Sequence, residues 1–135
     1  MKEEAVDEVT GACHCGQVSY SVLGEKQFEF FCYCTDCRKL NGGGHLAGIA
    51  IAHNNISLRG DPAEYCYPGG SGKMIQLVFC SRCSTQILAF PSSHPDVVIL
   101  RANTLDRPQQ FEPQKSIYTD TAFEWDRSEI KEKSV

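Results

Sequence analysis

The segment Gln17-Val18-Ser19-Tyr20-Ser21-Val22-Leu23 alternates polar and apolar with period two, the pattern of a strand with one buried face. Seven more short β-like runs follow: 28–32, 46–52, 56–59, 63–67, 73–79, 85–90 and 97–102. Turn chemistry separates them, at Gly42-Gly43-Gly44, Asn54-Asn55, Gly60-Asp61-Pro62 and Pro68-Gly69-Gly70-Ser71-Gly72. Short strands at this spacing predict a mainly β chain of packed or coiled antiparallel sheets. Helical signal is thin, with one turn expected at 38–40 and another at 128–133. Phe28, Phe30, Phe31, Phe79 and Phe90 are expected in the core, and Trp125 is expected to pack the C-terminal segment onto a sheet.

Length and composition support one globular domain over 1–135, with its core from about residue 10 to 127 and charged ends. The net charge of −4, and the lack of any basic run longer than Arg38-Lys39, argue against nucleic acid as a partner. Residues 1–7 carry no apolar stretch of the kind that opens a secretory signal, and no run suits a membrane span. The expected location is therefore cytoplasmic, with no membrane partner. Thiols stay reduced there, so eight cysteines point to metal ligation or thiol chemistry rather than disulfides.

Seven of the eight fall into three groups: Cys13-His14-Cys15, Cys32-Tyr33-Cys34-Thr35-Asp36-Cys37, and Cys80-Ser81-Arg82-Cys83. Close spacing lets one turn aim two sulfurs at one ion, and zinc takes four ligands in a tetrahedron. The sulfurs divide naturally into four plus three. Cys13, Cys15, Cys80 and Cys83 would close a structural zinc clip. Cys32, Cys34 and Cys37 would hold a second, more labile zinc with one position open to water or a substrate thiol. A single zinc held by two of the groups, with the third left as free thiols, is the alternative. Arg38 and His45 are candidate substrate contacts beside the open site, and His45 is also a weaker candidate fourth ligand. The glycines at 42–44 suit either close approach of a substrate or a flexible loop. Cys66, between Tyr65 and Tyr67, reads as a buried free thiol, while His14, His53 and His94 read as surface residues.

Three segments, Gly11-Ala12-Cys13-His14-Cys15-Gly16-Gln17-Val18, Cys32 through Lys39, and Phe79-Cys80-Ser81-Arg82-Cys83-Ser84-Thr85, resemble the glutathione-dependent formaldehyde-activating enzyme family, which includes the centromere protein V-like proteins. Ala102-Asn103-Thr104-Leu105-Asp106-Arg107-Pro108, Ser116-Ile117-Tyr118 and Trp125 resemble its closing segment. The resemblance implies an Mss4-like fold, a structural zinc on Cys13, Cys15, Cys80 and Cys83, and a second zinc on Cys32, Cys34 and Cys37. It also implies a carbon–sulfur lyase acting in the synthetic direction, joining formaldehyde to glutathione as S-hydroxymethylglutathione. Four departures stand out: Tyr33 where the family often has His or Ser, Lys39-Leu40-Asn41-Gly42 after the cluster, Ser84 where Gly is common, and Ser116 where His is frequent. The alternative to an enzyme is a non-catalytic zinc scaffold or small-thiol carrier. A methionine sulfoxide reductase of type B shares the Mss4-like fold but needs a late reactive cysteine, and none follows Cys83. Exposed strand edges would suit a homodimer.

Overall fold

The structure, a computed structural model, describes residues 8–126. Ten strands form two sheets. β1 (Val9–Ala12), β2 (Ser19–Val22) and β5 (Ile56–Arg59) make a three-stranded antiparallel sheet in the order β1-β2-β5. The other seven are β3 (Lys26–Cys32), β4 (Leu46–Ala52), β6 (Pro62–Pro68), β7 (Met74–Cys80), β8 (Gln86–Pro91), β9 (Val97–Arg101) and β10 (Lys115–Ile117). They form a second sheet in the order β10-β3-β4-β9-β8-β7-β6, antiparallel except for the parallel β10–β3 pair. This is the mainly β, several-sheet architecture expected of the chain, and all eight strands expected from the pattern are present.

The alternating positions of β2 define the core. Val18, Tyr20 and Val22 are buried, and they pack with Ile49, Ile51, Val78, Leu88, Val98 and Leu100 of the larger sheet. Tyr20 keeps its polar tip satisfied inside, with Oη 2.7 Å from Thr104 Oγ1. Gly11 lets that ring lie against β1, since a Cβ there would fall 2.1 Å from the Tyr20 hydroxyl oxygen.

β1 and β10 escape the periodicity because each is only three or four residues long, and β10 pairs with a strand distant in sequence, β3. β10 is docked through Glu29, a buried carboxylate on β3. Glu29 accepts from the Glu112 backbone N–H at 2.8 Å and pairs with Lys26 Nζ at 3.2 Å, while its own N–H donates to Gln114 Oε1. These bonds seat residues 112–114 beside β3, and pairing from Lys115 to Ile117 follows.

Some expectations fail. Of the five phenylalanines, only Phe30 is fully buried. Phe28 is 37% exposed at the start of β3, stacked on Phe30 at 5.6 Å between centroids. Cys66 is exposed rather than buried. The alternation there is right, because Tyr65 and Tyr67 stack on the same face at 5.6 Å. But β6 is an edge strand, and no layer covers its other face at Cys66. Pro62 and Pro68 bracket that edge and remove ladder donors, which blunts it against further strand pairing. The turn expected at 128–133 lies outside the described residues.

Candidate metal centres

Two hairpin loops of like geometry carry the outer cysteines. In one, Cys13 N–H donates to Val18 O at 2.9 Å and Gly16 N–H to Cys13 O at 3.1 Å. In the other, Cys80 N–H donates to Thr85 O and Ser84 N–H to Cys80 O, both at 2.9 Å. Each loop turns through a left-handed residue, Gly16 at φ +86° and Ser84 at φ +67°. That conformation is the physical reason a glycine suits position 84. Ser84→Gly is expected to stabilise the protein by about 1 kcal/mol, read as a higher thermal midpoint with unchanged metal content.

The loops bring Cys13, Cys15, Cys80 and Cys83 together, with every sulfur within 4.8 Å of the others. The Cys13–Cys15 and Cys15–Cys80 sulfur separations are both 3.7 Å, too long for a disulfide. A tetrahedron with Zn–S of ~2.3 Å has an edge of ~3.8 Å, so the donor set fits zinc. The sulfurs are surrounded by donors. Val18 N–H points at Cys13, and Arg82 N–H and Cys83 N–H at Cys80, each at 3.3 Å, with Gln17 Nε2 3.5 Å from Cys80. Hydrogen bonds from Thr85, whose hydroxyl is 3.3 Å away, hold the Cys83 thiol down to about 5. His14 is exposed, and its backbone N–H donates to Thr85 Oγ1.

The middle group is built differently. Cys32 ends β3, and α1 (Thr35–Asn41) follows at once. The helix starts earlier than the sequence pattern indicates because Cys34 caps it, its sulfur accepting from Cys37 N–H at 3.3 Å. Gly42 ends it at φ +76°. One turn of helix thus places Cys37 back beside Cys34, and the three sulfurs lie within 4.8 Å of one another. Cys32 is buried with Phe30 and Leu46, while Cys34, Cys37, Ile99 and Ile117 pack around them. Among the described residues, no fourth His, Cys, Asp or Glu joins the set. Hydrogen bonds from Cys32 and Cys37 pull the Cys34 thiol far down, while Cys32 and then Cys34 push Cys37 up.

The neighbours predicted from sequence are near this site but otherwise engaged. The Arg38 guanidinium lies 4.2 Å above the Phe123 ring, and its Nη2 reaches Thr35 Oγ1 at 3.4 Å. His45 does not join the cluster. Its Nδ1 is 2.6 Å from Asp126 Oδ2, and its ring contacts Tyr33 and Phe31, each 4.9 Å away between centroids. The glycine segment admits Asp126 rather than standing loose, since a Cβ on Gly44 would sit 2.2 Å from the Asp126 carboxylate. Trp125 is 60% exposed and stacks on Phe123 at 4.9 Å, so it extends an aromatic strap over α1 instead of packing on a sheet. Thr121 Oγ1 ties the strap to Tyr33 O at 2.8 Å.

Two residues that sequence reasoning missed are Arg101 and Tyr67. Arg101 ends β9 and is 4% exposed, and Tyr67 is half-buried on β6. Burial pushes the Tyr67 phenol up to about 12, with Arg101 opposing and the cluster sulfurs adding. The available signal was an arginine closing the apolar run Val97-Val98-Ile99-Leu100, where a surface charge is out of place.

A family model described as glutathione-dependent formaldehyde-activating enzyme matches residues 8–121, which include all three cysteine groups. The chain belongs to this family. Among its relatives is a Halomonas elongata protein provisionally named a glutathione-dependent formaldehyde-activating enzyme. It is 30% identical over 118 residues, which cover 78% of this chain and 70% of the relative. A crystal structure of a Rhodobacter sphaeroides protein superposes with a TM-score of 0.59 at 20% identity, covering 79% of this chain and 98% of that one, and so shares the fold. Membership in an enzyme family and two cysteine clusters able to ligate metal are thus established together.

Proposed function

We propose that the protein is a zinc-dependent, glutathione-binding carbon–sulfur lyase of the S-hydroxymethylglutathione synthase type. The observation that carries this is the three-sulfur set of Cys32, Cys34 and Cys37, to which no fourth protein ligand comes among the described residues. A closed site needs four ligands, whereas a site with three protein ligands leaves room for a substrate atom. The four-sulfur set on Cys13, Cys15, Cys80 and Cys83 would be the structural zinc.

Zinc bound at the three-cysteine centre would favour the thiolate form of a substrate thiol, because a cation stabilises the sulfur anion. The bond formed is between that sulfur and the formaldehyde carbon. The carbonyl π bond breaks, and its oxygen takes a proton from solvent to give the hydroxymethyl group. The chain's own residues supply the setting. Phe30, Leu46, Ile99 and Ile117 wall the sulfurs on the sheet side, which strengthens charge interactions there. The strap through Phe123 and Trp125 flanks α1, where a peptide-like thiol would lie. A cytoplasmic location suits the reaction, since it keeps both the protein's thiols and glutathione reduced.

The test is the rate of S-hydroxymethylglutathione formation. This condensation proceeds readily without a catalyst, so the comparison is with buffer and with metal-stripped protein. A zinc-loaded chain that accelerates the reaction in proportion to its concentration supports the lyase. Saturable glutathione binding with no acceleration would make the protein a thiol carrier, and no glutathione binding at all would leave a zinc scaffold.

A further inference from the structure

Strand register places Arg101 on the same face of the sheet as the three-cysteine centre. Cys32 pairs with Leu46 and Phe30 with Gly48 across β3–β4, and Gly48 pairs with Arg101 across β4–β9. Directly paired residues share a face, as do residues two apart on one strand. Cys32, Leu46, Phe30, Gly48, Ile99 and Arg101 therefore line one side of the sheet. Apolar members of this row pack directly on Cys34 and Cys37.

Arg101 is a buried cation without an obvious anion. Its hydrogen bond is a long one, Nε to Gln86 Oε1 at 3.4 Å, and it makes no ion pair with a carboxylate among the described residues. Gln86 in turn donates through Nε2 to the Leu40 carbonyl, which joins the arginine to the last turn of the helix that carries Cys37. A buried charge requires compensation. The groups able to supply the opposing charge are the sulfurs of Cys37, Cys32 and Cys34, which would be thiolates around a metal, whereas burial keeps the neighbouring Tyr67 phenol neutral.

The two cysteine centres need different things. Four thiolates and a divalent ion total −2. The outer clip meets that charge with four N–H donors and with Cys15 exposed to solvent. The inner centre is bedded in apolar side chains and meets backbone donors only from its own short segment, Cys37 N–H at 3.3 Å and Asp36 N–H on Cys34, and Cys34 N–H on Cys32. Three thiolates and a divalent ion total −1. A guanidinium brings the centre to zero, and an anionic fourth ligand then costs no more charge than the bare centre would carry alone.

We propose that Arg101 is the fixed counter-charge of the three-cysteine centre, and that it makes a thiolate an acceptable fourth ligand in place of a neutral one. It acts through the metal and its sulfurs, so it is a positioning and specificity residue. The second half rests on the proposed thiol-binding function, whereas the first half concerns metal retention alone.

The experiment compares wild type, Arg101→Met and Arg101→Lys. Zinc release to excess EDTA is followed first, with the four-cysteine centre as internal reference. Arg101→Met is expected to release the inner zinc about tenfold faster and the outer zinc at the wild-type rate, with Arg101→Lys restoring most of the difference. Cobalt(II)-loaded proteins are then titrated with glutathione and with imidazole, using thiolate-to-cobalt charge transfer and the ligand-field bands as readouts. Arg101→Met should lose about tenfold in glutathione affinity and nothing in imidazole affinity. Equal release rates, or parallel losses for both ligands, would overturn the proposal. So would an Arg101→Lys protein that behaves like Arg101→Met. That variant keeps the charge, and so decides the question even if Arg101→Met does not fold. A wild type that takes up no glutathione would overturn the thiol-binding function and the ligand-selecting half together, with the release rates still deciding the counter-charge.

Discussion

Replacing Cys80 by serine in the zinc-loaded protein is expected to release the outer metal and abolish the cooperative thermal transition. Cys80 is fully buried at the end of β7, and its sulfur lies 3.7 Å from that of Cys15. The four sulfurs come from the β1–β2 and β7–β8 loops, so a metal there would join the two sheets. A structural zinc contributes on the order of 10 kcal/mol at neutral pH, against a total stability of roughly 5–15 kcal/mol for a domain of this kind. Losing one ligand therefore removes most of the margin. Cys66→Ser is the matched control. Cys66 is exposed and outside both clusters, so its replacement should shift stability by no more than about 0.5 kcal/mol. Circular dichroism melts with zinc content on the same samples check both, and a Cys80→Ser protein that melts with wild-type cooperativity would contradict the clip.

The opposite outcome is expected at Cys34. Serine is among the best helix N-cap residues, so Cys34→Ser should keep α1 and the surrounding fold. It removes one of three metal-ligating sulfurs from a site that has none to spare. The variant should bind one zinc per chain, melt within a few degrees of wild type, and lose the response of Trp125 fluorescence to glutathione. The protein-dependent acceleration of S-hydroxymethylglutathione formation should be lost, leaving the rate seen in buffer, because the metal assistance is gone. Full activity with one zinc per chain would move the chemistry away from this centre. The two substitutions together would separate a metal that holds the fold from one that does the proposed chemistry.

The contrast between these centres was half visible in the chain itself. C-x-C and C-x2-C spacings report the local turns that aim sulfurs together. The closing hydrogen bonds of those turns, such as Cys13 to Val18 and Cys80 to Thr85, span only a few residues. The strands that flank them follow from period-two alternation for the same reason, since burial of one face is written into neighbouring residues. Cys66 shows where that logic stops. Alternation assigns it a face, but whether a face is covered depends on what packs there, and β6 proved to be an edge.

Residues that act across the fold carried little or no local signal. Asp126 meets His45 and leans on Gly44 from 81 positions away along the chain. Thr121 holds Tyr33 from 88 positions away, and Glu29 captures the 112–114 segment that makes β10 possible. Arg101 shares a sheet face with Cys32 only because β9 pairs with β4 in a register that sets it opposite Gly48. The sequence by itself determined eight of the ten strands, the grouping of seven cysteines and the family, since each is encoded in short stretches with distinct spacing. The tertiary structure decided which side chains surround each group of sulfurs. Burial, counter-charge and strap contacts come from pairing between distant strands, and no local pattern records that pairing.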